Sequence, residues 1–127
     1  MQTNTEAGGL PPAEGNFDAR RIEESARLLE SVVAPAFGVM PGLLQKASRG
    51  PAPIAFARQV AIYLAHTRLG LSYAEAGGCF RRERTTAAHA CRQVEERRDD
   101  LNLDTLIDCL ERSIDLLPAA VHGEEQP

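Results

Sequence analysis

Tryptophan is absent from the 127 residues, and aromatic side chains of any kind make up 5% of them. With rings so scarce, the interior of this chain has to be assembled from its abundant alanine and leucine, which favours a modest helical core. The cysteines, Cys79, Cys91 and Cys109, are odd in number and far apart, which excludes a disulfide framework and a zinc site of the Cys-x-x-Cys type. They are expected as core thiols, with no metal and no cofactor. No apolar run is long enough to span a membrane and no basic-then-apolar leader opens the sequence, so the expected compartment is the cytosol. The phosphate loop G-x-x-x-x-G-K-[ST] is missing as well, which removes nucleotide-driven work from this segment. Catalysis finds no foothold either. The one nearby nucleophile and base, Cys91 and His89, are two residues apart, and on a helix that spacing turns them to different faces.

What is present is helical periodicity, and the expected class is all-α. A first helix is read from Asp18 to Ala34, with Ile22, Ala26, Leu29 and Val33 on one stripe and Pro35 ending it. A short turn follows at Met40 to Lys46. Ser48 to Pro53, SRGPAP, reads as an exposed loop, because a glycine and two prolines within six residues stop a helix. From Ile54 to Leu69 a long helix carries Ala57, Val60, Ala61, Leu64 and Ala65 inward and breaks at Gly70. The last helix, Leu103 to Leu117, presents Leu103, Leu106, Ile107, Leu110, Ile114 and Leu117 as a stripe expected to close the core. Residues 1–16 and 119–127 lack periodicity and are read as a disordered lead and tail around one domain at 17–118.

Charge is unevenly spread. Between Gln45 and Arg98 ten basic residues face four acidic ones, a net of +6, in a chain whose formal net charge is −4. The remainder therefore carries −10. A basic central module between acidic ends suits a polyanionic partner, and the acidic ends suit a basic protein partner.

The basic module has an internal plan. Ser72-Tyr73-Ala74-Glu75 is a capping box that starts a short helix, expected to end near Phe80. Arg81 to Glu83 is a tight link, and a second helix begins at about Arg84. Ala87, Cys91 and Val94 give that helix an apolar seam, which leaves Arg84, Thr85, Thr86, His89, Arg92 and Gln93 for other faces. Two helices joined in this way, the second rich in polar donors, form a helix-turn-helix. Arginine forks onto guanine and the threonine methyls meet thymine methyls, so double-stranded DNA is the partner that this chemistry fits. Arg58, near the start of the long helix, is placed to reach a phosphate.

The stretch ARQVAIYLAHTRLGLSYAEAGGCFRRERTTAAHACRQVEE resembles the C-terminal DNA-binding domain, domain IV, of the bacterial replication initiator DnaA. The resemblance runs from about Ile22 to Leu117. It is carried by Arg58-Gln59, Gly70-Leu71-Ser72, Glu75, Phe80, Arg82, Thr85-Thr86 and His89-Ala90-Cys91-Arg92. It implies a Trp-repressor-like, all-helical fold that recognises the initiator's A/T-rich box, with one helix in the major groove and a basic loop at the minor groove. By position, Arg84, Thr85 and Thr86 would face bases, His89 and Gln93 the backbone, Ser72 a phosphate, and Arg49 or Gly50 the minor groove; Arg58, Arg82 and Arg92 complete the expected DNA-binding set. The chain departs from the family at Glu83-Arg84, where Asp-His is usual, at Gln93 in place of a lysine, in a loop that keeps only Arg49, and at Ala76 and Ala88 in place of large aliphatics. Two functions follow as expectations. One is a small nucleoid-associated regulator of transcription or replication initiation at initiator-type boxes or related sites. The other is an interaction module that keeps the fold while its DNA binding is weakened or lost.

Overall fold

The computed structural model describes residues 18–40, 42–46 and 52–117. Five α-helices and one 3-10 turn account for the regular structure among them, with no strand: α1 at Ala19–Ala36, the 3-10 turn at Leu43–Gln45, α2 at Ala52–Thr67, α3 at Tyr73–Gly78, α4 at Arg84–Arg97 and α5 at Leu101–Asp115. The terminal segments expected as lead and tail, and Arg49 and Gly50, lie outside the described residues.

Helix α1 begins where Asp18 Oδ1 accepts the amides of Arg20 and Arg21 at 3.1 and 3.4 Å. It does not stop at Pro35. Pro35 sits inside the last turn, and the helix ends only where Gly38 takes φ +67 and the Val39 amide returns to Ala34 at 2.8 Å. Proline removes its own ladder bond but leaves the following residues free to finish the turn, whereas the left-handed glycine redirects the chain.

Helix α2 likewise starts earlier than the sequence indicates. Ala52 and Pro53 belong to its first turn, where a missing N–H costs no intrahelical bond. Its far end is closed by Gly70 at φ +73, which lets the Leu71 amide reach back to Ala65 at 3.1 Å.

The core stripes lie where periodicity places them. Leu29 and Val33 of α1, Ala57, Val60, Ala61, Leu64 and Ala65 of α2, and Ile107, Leu110 and Ile114 of α5 are buried. Helix α2 packs against α1, α3, α4 and the 3-10 turn, so it is the central helix. Helix α5 starts at Leu101, two residues ahead of expectation, because Asp100 accepts the Asn102 and Leu103 amides as an N-cap. It closes against α1, and Arg68 at the end of α2 pairs with Asp115 at the end of α5. One cysteine corrects the expectation of three core thiols: Cys79 and Cys91 are buried, but Cys109 is exposed on α5.

Candidate nucleic-acid interface

Helix α3 is set in place by a complete capping box. Ser72 Oγ accepts the Glu75 amide at 3.1 Å, and Glu75 Oε1 accepts the Ser72 amide at 2.8 Å. After six residues the chain turns sharply. Arg81 adopts φ +61, and the Arg82 amide returns to the Gly77 carbonyl at 2.8 Å. Gly77 has to be a glycine here, since a Cβ would lie 2.6 Å from the Arg82 carbonyl oxygen and 3.1 Å from that of Glu83. The turn thus brings the start of α4 against the body of α3.

Helix α4 buries Ala87, Ala90, Cys91 and Val94 and turns Arg84, Thr85, Thr86, His89 and Arg92 to the exterior, with Gln93 half-buried. Glu83 stands at its N-cap without a side-chain capping bond. Neither threonine is spent as the N-cap, and the side chains of the first turn point away from the fold. His89 and Gln93, one turn apart, bring Nε2 atoms to 3.4 Å. His89 is exposed while Cys91 is buried beneath the same helix, so the two do not meet. Burial pushes the Cys91 thiol up to about 11 and the Cys79 thiol up to about 12, with Glu95 and Glu75 respectively adding to the shift.

A cleft of about 590 Å³ opens between α2 and α4, lined by Arg58, Gln59, Arg82, Thr86 and His89 among others. Arg58 is not the outward-facing side chain that its place in the sequence suggests. It is 4% exposed, and its Nε and Nη2 donate to the carbonyls of Leu44 at 2.8 Å and Leu43 at 3.2 Å. Arg82 Nη1 donates to the carbonyls of Phe80 at 2.8 Å and Lys46 at 3.1 Å. Burial lowers the pKa of both guanidiniums, and the nearby charge of Arg82 lowers that of Arg58 further. Two cations therefore share one wall of the cleft, each tied inward by backbone carbonyls.

The opposite flank of α4 is fixed to the core. The Tyr63 hydroxyl of α2 donates to Glu95 Oε2 at 2.8 Å and accepts Arg98 Nη1 at 3.1 Å. Arg98 also reaches Asp104 at 2.6 Å and Glu111 at 3.1 Å on α5. The neighbouring Arg97 lies 4.1 Å over the Phe56 ring.

The structure thus gathers Arg58, Arg82, Thr86 and His89 around one cleft, with Arg84, Thr85 and Arg92 exposed on the same helix. Ser72 is exposed at the head of α3 with its hydroxyl engaged in the cap. Sequence reasoning missed Gln59 as a lining residue and Gly77 as the pivot of the turn. A glycine pair inside a six-residue helix signals close backbone approach and could have marked Gly77.

The model of the family described as the bacterial dnaA protein helix-turn-helix matches residues 27–94, which hold most of α1 and all of α2 and α3 and reach Val94 near the end of α4. The chromosomal replication initiator protein DnaA 2 of Chlamydia caviae is 33% identical over 96 residues, covering 69% of this chain and 21% of that protein. The chain accordingly spans about a fifth of the length of this relative. With the capping box, the turn and the polar helix as far as Val94 inside the matched range, this chain belongs to the bacterial DnaA helix-turn-helix family.

Proposed function

We propose that this chain binds double-stranded DNA in a sequence-specific manner, with α4 as the recognition helix, and acts as a small regulator of transcription or replication at initiator-type boxes or related sites. The observation that carries the reading is the division of α4: a buried seam of Ala87, Ala90, Cys91 and Val94 beneath an exterior of Arg84, Thr85, Thr86, His89 and Arg92. Recognition helices place residues of their first turns on base edges and later ones on the backbone. Arg84 then forks onto a guanine and Thr85 and Thr86 approach thymine methyls, each such pair giving roughly 1–3 kcal/mol of discrimination. The cleft beside Thr86 and His89 suits one backbone phosphate, which the Thr86 hydroxyl and the His89 ring on its α4 side can meet.

Among the described residues no helix is long and apolar enough to cross a membrane. The reading places the protein on the nucleoid in the cytosol. Fluorescence anisotropy with a box duplex and a scrambled duplex, across a salt series, tests it. Tighter binding to the box, with Arg84→Ala reducing the difference between the two duplexes, is the expected result. Equal affinity for both duplexes defeats sequence-specific recognition, and no affinity for either defeats DNA binding.

A further inference from the structure

Side chains from three directions converge on one short stretch of backbone. From α1, Glu30 Oε2 accepts the Gly42 amide at 2.6 Å. From α2, Arg58 holds the carbonyls of Leu43 and Leu44. From the turn ahead of α4, Arg82 holds the carbonyl of Lys46 at 3.1 Å. Leu44, in the middle of the stretch, is buried in the core. Residues 42–46 are thus suspended between three elements, and Arg82 is their connection to the helix-turn-helix.

One nitrogen makes this bond and a second one as well. Arg82 Nη1 donates to Lys46 and also to Phe80 in its own turn at 2.8 Å, so both of its N–H groups point into the fold. The turn it joins is a demanding one. Arg81 adopts a left-handed conformation that side-chain-bearing residues rarely take, and Gly77 leaves no room for a methyl group against the Arg82 carbonyl. Such a backbone persists only where its surroundings over-determine it.

We propose that Arg82 is a positioning residue for DNA reading and not a ligand of DNA. It fixes the head of α4 relative to residues 42–46, so that discrimination by Arg84, Thr85 and Thr86 depends on a guanidinium that touches neither base nor phosphate. Forked base contacts tolerate displacements of only about 0.5 Å, which makes the launch point of the helix part of the specificity. The assignment rests on the DNA-binding reading above.

The test compares the full-length chain with Arg82→Met and Arg82→Lys, using the box and scrambled duplexes over a salt series, with circular dichroism to confirm folding. Arg82→Met is expected to reduce the preference for the box on the order of tenfold, the value of one charge-assisted hydrogen bond. The slope of log affinity against log salt should stay that of the wild type, because no phosphate contact is lost. Arg82→Lys keeps the charge but not the planar fork, and it should lose preference at an unchanged slope; it also serves as the test if the methionine variant does not fold. A slope lower by about one unit in Arg82→Met, with preference intact, makes Arg82 a phosphate ligand and overturns the proposal. Full retention of slope and preference in Arg82→Lys overturns it equally. Wild-type protein that shows no preference for the box removes the DNA-reading premise itself, an outcome distinct from both.

Discussion

Tyr63→Phe isolates one oxygen that ties α4 to the central helix α2. Tyr63 is 3% exposed, and its hydroxyl sits between Glu95 and Arg98, the residues on either side of the end of α4. Removing it leaves Glu95 exposed to water and leaves Arg98 its bonds to Asp104 and Glu111, so the cost is that of the two hydrogen bonds without a stranded charge. That amounts to about 2 kcal/mol at neutral pH. The pH dependence makes the prediction sharper. Burial, reinforced by the bond to Glu95, raises the Tyr63 phenol from its ordinary value of 10.0 to about 12. A proton is therefore held more tightly in the folded state, and this stability is fully present below about pH 10 and lost as the pH rises towards about 12. Two pKa units correspond to about 3 kcal/mol, enough to erase the advantage of the wild type over the variant. The raised Cys79 and Cys91 thiols act in the same direction, but they are common to both proteins and cancel in the difference. Urea unfolding followed by far-ultraviolet circular dichroism at a series of pH values measures it. A stability gap that stays constant from about pH 8 to about pH 11.5 refutes the placement of the phenol in this network.

Three further outcomes are expected. Gly77→Ala forces the α3–α4 turn open by pressing a methyl group onto the Arg82 carbonyl; the melting temperature should fall, the clash of about 1–3 kcal/mol outweighing the gain of up to about 1 kcal/mol in helix propensity. A variant that melts at or above the wild-type temperature contradicts the close approach. Ser72→Ala removes half of the capping box and should cost about 1 kcal/mol, whereas Ser72→Asp, which still accepts the Glu75 amide, should recover most of it in chemical denaturation. In thiol labelling of the native protein Cys109 should react promptly and Cys79 and Cys91 only on unfolding; three equally fast thiols would contradict the burial of two of them.

Much of this architecture was legible in the sequence, because its elements are marked by local chemistry. The capping box fixed the start of α3 to the residue, and the seam of Ala87, Cys91 and Val94 oriented α4 correctly, since both signals depend only on neighbours within a turn. Helix ends set by glycine geometry were harder to read. At Pro35 the sequence suggests a stop, yet the stop is made three residues later by Gly38, and Pro53 opens a helix where a loop was expected. The site was legible by residue type but not by role. Arg58 and Arg82 are arginines in a basic module, and nothing in their spacing reveals that their donors turn inward to carbonyls of residues 43–46 and 80. That is a long-range property, settled by how α2 and the 3-10 turn pack. Cys109 is a different case, because it lies off the leucine and isoleucine stripe of α5 and helical periodicity alone turns it outward.

Helix α4 starts without a side chain folded back over its opening amides, whereas α1, α3 and α5 each have one. A serine, aspartate or asparagine in place of Glu83 ordinarily adds about 1 kcal/mol to a helix of this kind. Among the α-helices whose N-caps are described, α4 alone does without that increment, and its first turn carries Arg84, Thr85 and Thr86. The opening of α4 therefore depends for its order on the turn that precedes it, at Gly77, Arg81 and Arg82, and not on a cap of its own.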